Sequence, residues 1–242
     1  MLFDAAHLQK PFRRLSKATK KTRELGDPAR VHQLCTTTRR VEAILGALEI
    51  GSSRQKKNLR KALKKIRRAA GEVRDMDVLT GKAAEVSVTG ERDCQVRLLQ
   101  HLGTQRQKQA AKLADELKQR GKKVRRGLER YSKRIDPLLA PQAAPKQQRE
   151  AEASAAARAL ELSSQLRKFA TLGRRDLHLY RKKGKQLRYV LQLATRQDEA
   201  LLHGLREMQD AIGEWHDWEE LVAISRKGIF GTFDESCLES AR

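Results

Sequence analysis

The 242-residue sequence predicts an all-α protein, and three observations carry that prediction. Ala, Leu, Lys, Arg, Glu and Gln, all strong helix formers, dominate the chain. No segment shows the β-branched, period-two alternation of a half-buried strand. Apolar residues recur instead at helical spacing, as in Leu34, Val41, Ile44, Leu45 and Leu48. Hydrophobic residues make up 39% of the chain, enough for a core and too many for wholesale disorder.

Taken in order, the pattern predicts helices over 8–24, 30–49, 54–70, 72–87, 92–134, 147–171, 175–195 and 198–226. Asp27-Pro28 reads as a cap followed by proline in the first helical turn. Gly51-Ser52-Ser53 reads as a turn. Pro137, Pro141 and Pro145 predict a break in helical structure. Residues 137–146 are therefore expected to link a first helical half, 1–136, to a second, 147–226, with 227–242 as a tail.

The two halves share motifs in the same order. Val31–Glu42 lines up with Leu177–Arg188, each led by a histidine, His32 and His178. Ala70-Gly71-Glu72-Val73-Arg74-Asp75 lines up with Ile212-Gly213-Glu214-Trp215-His216-Asp217. The expectation is two tandem antiparallel helical bundles, related by internal duplication and a pseudo-two-fold axis.

Charge narrows the function. Lys plus Arg number 52 against 30 Asp plus Glu, a net +22, so an anionic partner is expected. Aromatics are only 4%, which disfavours a platform of rings for stacking bases. The odd, scattered cysteines Cys35, Cys94 and Cys237 point to a reducing compartment. The N-terminus lacks the pattern of a signal peptide, and no apolar run reaches membrane-spanning length. A cytoplasmic protein without a membrane partner is expected.

The histidine-led helices carry the sharpest candidates. Helical geometry puts His32, Arg39 and Arg40 away from the apolar stripe of their helix. It likewise groups His178, Arg181, Lys182, Lys185, Arg188 and Tyr189. Donors at successive turns, about 5.4 Å apart, suit an extended chain of phosphates. Arginine forks grip phosphate oxygens, lysines add mobile charge, and histidine donates one or two N–H groups. Lys57, Arg60 and Lys64, in a run without acids, and Arg13, Arg14 and Lys17 near the N-terminus are further candidates. Each of these basic faces has a plainer alternative, a solvated surface.

No catalytic, metal or cofactor site is expected. Asp75-Met76-Asp77 and Asp217-Trp218-Glu219-Glu220 read as caps or ion-pair partners, because neither accompanies histidines or thiolates in ligand spacing. Cys35, which lies among basic groups, reads as a plain small residue rather than a reactive thiol.

These motifs resemble those of the CHAD family, the conserved histidine α-helical domain, over roughly 8–226. His32, Arg39 and Arg40 match its first signature, while Cys35 and Glu42 stand where arginine is usual. His178, Arg181, Lys185, Arg188 and Tyr189 match the second. The resemblance implies a two-bundle fold that binds inorganic polyphosphate in a basic surface pore, and association with polyphosphate granules. Members often accompany a CYTH-type triphosphate-tunnel barrel. No such barrel fits in this chain, so no catalysis is implied. The expected activity is therefore non-catalytic polyphosphate binding. The alternatives are a nucleic-acid-binding helical protein and, ranked below it, a phosphoanhydride-processing enzyme. The second-half helix, richer in arginine, is expected to contribute more. The second half also lacks an equivalent of the long helix at 92–134. Its apolar positions are then expected to be covered by residues 229–233 or by a second copy in a homodimer.

Overall fold

The caps and apolar stripes close into seven helices in a computed structural model, which describes residues 3–20, 26–48, 50, 52–86, 92–139, 145–169 and 173–230. In order they are α1 (Ala5–Ala18), α2 (Pro28–Ala47), α3 (Ser53–Glu85), α4 (Arg92–Leu139), α5 (Pro145–Arg167), α6 (Arg174–Leu191) and α7 (Glu199–Phe230). No strand occurs among the described residues, and their β pairing is limited to an isolated bridge between Phe3 and Ala194.

Local chemistry accounts for most helix starts. The Asp4 carboxylate accepts from the His7 N–H at 2.9 Å to open α1. Asp27 accepts from the Ala29 N–H at 2.8 Å, with Pro28 in the first turn of α2, as the sequence predicts. Ser52 accepts from the Gln55 N–H at 3.4 Å to open α3.

Several boundaries differ from expectation. α3 runs unbroken through Gly71, where two helices are expected. One glycine costs a helix only about 1 kcal/mol, and fully buried Ile66, Ala70 and Val73 anchor both sides of it. α4 runs through Pro137 to Leu139, where the linker is expected to begin. An interior proline costs roughly 3 kcal/mol. Against that, Ile135 and Leu138 stay buried, 1% and 6% exposed, and each such burial contributes about 1.5–3 kcal/mol. Pro145 opens α5 from its first position, and Pro141 lies outside the described residues. α7 extends to Phe230, beyond the expected end at 226.

The main core joins α1–α4 to α5 and α6. It includes Phe12, Leu15, Ile44, Leu63 and Leu128, with Leu162 and Val190 from the later helices. A smaller cluster, Leu79, Ala83, Leu102 and Leu221, seats the distal part of α7 on α3 and α4. That cluster covers part of the apolar surface expected to need a cover after α6. Leu187, Val190 and Leu221 are buried, and Leu205 packs against the main core. α3 and α4 cover Leu221, whereas Leu187, Val190 and Leu205 pack into the main core. The expected cover itself, 229–233, falls partly outside the described residues. The N-terminal segment also crosses to the second half, where Asp4 N–H donates to the Leu193 carbonyl at 2.9 Å.

Candidate anion site

Helices α2, α3, α6 and α7 meet around a basin of cations. The face of α2 bearing His32, Cys35 and Arg39 turns toward it. α3 contributes Arg67 and Arg74, and α6 contributes His178, Arg181, Lys182 and Lys185. The crowding is visible in the proton equilibria. Burial first, then Arg181, Arg39, Arg74 and Arg188, push the Lys185 ammonium down to about 7. His32 is lowered by burial and by Arg74, Arg39 and Lys185. His178 is lowered by burial, Lys182, His216, Arg181 and Arg39. Burial and neighbouring arginines lower Arg181 and Lys182 as well. Desolvation and like charge both disfavour the charged forms, and an anion entering the basin relieves both.

Arg39 is the common neighbour. Its charge acts on residues of all three contributing helices: His32 on α2, Asp75 on α3, and His178, Arg181, Lys182 and Lys185 on α6. Arg40 and Arg188 flank Tyr189, with guanidinium carbons 5.9 Å and 5.4 Å from the ring centroid. Tyr189 is only 7% exposed, so its ring holds two arginines by cation–π contact rather than presenting its hydroxyl to a ligand. The Nε atoms of Arg40 and Arg188 are buried without a hydrogen-bond acceptor among the described residues.

The two departures at arginine positions have distinct outcomes. Cys35 is buried, and burial pushes its thiol up to about 11 despite nearby Arg39 and Arg74, so it stays protonated and inert. Glu42 forms an ion pair with Arg67, with Oε2 and Nε 2.7 Å apart. Burial nonetheless raises the Glu42 carboxyl, its desolvation exceeding the pull of Arg67.

The remaining candidates are dispersed. Arg13, Arg14 and Lys17 stand exposed on α1, whose packing partners are α2 and α4. Lys57 and Lys64 are exposed on α3. Arg60 lines a separate cleft against α4 and α5. Arg67 and Arg74 fall outside the sequence-derived site, yet both join the basin. Their signal is the seven-residue interval Arg60–Arg67–Arg74, two helical turns per step, which returns each arginine to nearly the same face.

An acidic edge borders the basin. Asp75 is raised by burial against the pull of Arg74 and Arg39, with Asp217 adding repulsion. Glu220 is raised by burial and by Asp75. The His178 and His216 rings pack edge-on, 5.4 Å between centroids. Asp75 pairs with Arg74 at 3.2 Å, Asp77 with Arg106 at 2.5 Å, and Glu219 with Arg174. No group of three or more His, Cys, Asp or Glu among the described residues is arranged to hold a metal ion. None of the described helices is long and apolar enough to cross a membrane.

A family model described as the CHAD domain matches residues 6–224. Comparison with curated proteins and with solved structures returns no match.

Proposed function

This chain belongs to the CHAD domain family, and on that premise we propose that it binds inorganic polyphosphate, without turning it over, in the basin between α2, α3 and α6. The convergence of Arg39, Arg74, Arg181 and Lys185 from three helices carries this reading, because each depresses or is depressed by the others. Such crowding costs stability in the free protein, and a chain of phosphates offsets several of these charges at once. The matching histidine-led helices, α2 and α6, supply opposite sides of the basin, in keeping with two halves copied from one ancestral unit. We place this function in the cytoplasm, at polyphosphate granules.

Nucleic acid is the second reading, favoured only by the net charge of +22. Tyr189, an aromatic ring beside the basin, is buried between two arginines and offers no face to a base. The second copy expected over the apolar positions after α6 stays part of the proposal: α3 and α4 cover Leu221, while Leu201 and Val222 of α7 are exposed.

Competition decides between the readings. Labelled long-chain polyphosphate bound to the full chain should be displaced by unlabelled polyphosphate and much less by duplex DNA or RNA of equal charge at fixed salt. Log K should fall with log salt at a slope of several units. Equal displacement by nucleic acid, or a slope near one, would reject the proposal. Phosphate release on incubation would reject its non-catalytic part.

A further inference from the structure

The basin has an outlet. On α2, His32, Cys35, Arg39, Glu42 and Gly46 fall on one face, spanning fourteen residues and so about 21 Å. On α3, Arg74, Arg67 and Arg60 form a column of equal length. The two rows run in register. Arg74 acts on His32, Arg67 pairs with Glu42, and the charge of Arg60 also reaches Glu42. The row on α2 ends at Gly46, which, with Arg60, lines a cleft of about 1250 Å³ between α4 and α5.

Further polar groups lie between the basin and the cleft on α5 and α6. Lys182 of α6 lies within the field of Arg67. Next to it, Lys183 Nζ donates to the Gln165 side chain at 2.6 Å. Glu161 lies within the field of Lys183 and pairs with Arg158 of the cleft at 2.5 Å. At the far end Lys133 and Arg134 join the lining, and Arg134 Nη1 is buried without a hydrogen-bond acceptor among the described residues.

We propose that the basin and the cleft are one track: a linear polyphosphate lies along α2, crosses the Glu42–Arg67 pair, and ends in a second subsite formed by Arg60, Lys133 and Arg134. This rests on the reading of the basin as a polyphosphate site and adds to it a dependence on chain length. A compact anion occupies the basin alone, because about 21 Å separates the two ends. Only a long chain engages both. Glu42 sits midway and repels the ligand, while its partner Arg67 stands ready to turn from carboxylate to phosphate.

Titration calorimetry with triphosphate and with long-chain polyphosphate tests the track. The proteins are the full chain, Arg60→Ala, Arg60→Lys, and Lys118→Ala, an exposed cation of α4 outside the cleft lining. Arg60 is exposed, so its replacement leaves the core intact. Arg60→Ala should weaken long-chain binding about tenfold, as expected for one charge-assisted contact, and lower the salt slope by about one. Triphosphate binding should not change, Arg60→Lys should restore part of the loss, and Lys118→Ala should alter neither ligand. An unchanged ratio of long-chain to triphosphate affinity in Arg60→Ala, or an equal loss in Lys118→Ala, overturns the track while leaving the basin standing. Failure of the unaltered chain to bind either ligand removes the basin reading itself.

Discussion

The guanidinium of Arg181 lies in the space into which a side chain on Gly213 would project, and its Nε donates to the Gln209 carbonyl at 3.1 Å. Gly213 belongs to the Gly-Glu-x-x-Asp segment that the sequence singles out without explaining its glycine. The explanation is steric: α7 must be bare there for an arginine of α6 to lie across it. The backbone of α7 thereby fixes a charge that otherwise swings freely on a long side chain.

Gly213→Ala therefore displaces Arg181 from the basin. Helix propensity alone would stabilise the variant by up to about 1 kcal/mol. We expect thermal stability to change little and polyphosphate affinity to fall about tenfold, the loss of one charge-assisted contact. Affinity equal to that of the unaltered chain would show that Arg181 finds another productive path.

Lys185 makes binding pH-dependent. Its free-state value of about 7 means that roughly half the molecules carry this charge at neutrality. A bound phosphate chain favours the charged form, so binding takes up a proton and affinity should fall as pH rises from about 6 to 9. For stability of the ligand-free protein the sign is opposite. The folded value lies below the unfolded value of about 10.4, so the unfolded chain binds more protons between them. Stability from this group thus rises with pH from about 7 to about 10, and Lys185→Met should flatten both profiles. Calorimetry in buffers of different ionisation enthalpy measures the proton uptake directly.

Glu42→Gln removes the carboxylate paired with Arg67 beside the basin. Arg67 then keeps an amide partner but loses its counter-charge, so chemical denaturation should show a loss of about 1–3 kcal/mol in the free protein. Polyphosphate affinity should rise, because Arg67 is released to the ligand and a repelling charge is gone. Weaker binding would mean that Glu42 positions Arg67 rather than occupying it.

Arg39→Ala should cost more affinity than any other single replacement in the basin, since its charge acts on His32, His178, Arg181, Lys182 and Lys185. It should also raise the Lys185 ammonium toward its ordinary value. NMR titration of the lysine side chain reads that shift. A Lys185 value that stays put would place Arg39 outside its field.

Leu102→Ala tests the seat of α7. Leu102 is fully buried against Leu79 and Leu221, and truncating such a leucine costs about 2–5 kcal/mol. Hydrogen exchange should quicken in the distal part of α7 first, with the basin end of α2 unaffected. Uniform acceleration throughout the chain would instead show that α7 opens only with the whole fold.

Helix content, the caps at Asp27 and Pro28, and the histidine-led basic faces were legible in the sequence, because each depends on neighbours a few residues apart. The burial of Cys35 was not legible, because its position on α2 lies on the face of His32 and Arg39, and only packing encloses it. Tertiary packing decided what propensity could not. α3 passes through Gly71 and α4 through Pro137, since buried side chains on both sides outweigh a local penalty of a few kcal/mol. α7 lies on α3 and α4 through Leu221 against Leu79, Ala83 and Leu102, a contact between residues too far apart in the chain for local pattern to show. The membership of the basin was also a tertiary matter. Arg67 and Arg74 read as one more stretch of basic helix until α3 is set beside α2 and α6, whereas Arg13 and Lys17 carry the same charge on a helix that faces elsewhere. Charge is written residue by residue, but whether it is diluted in solvent or crowded with other cations depends on distances across the chain, and only folding sets those.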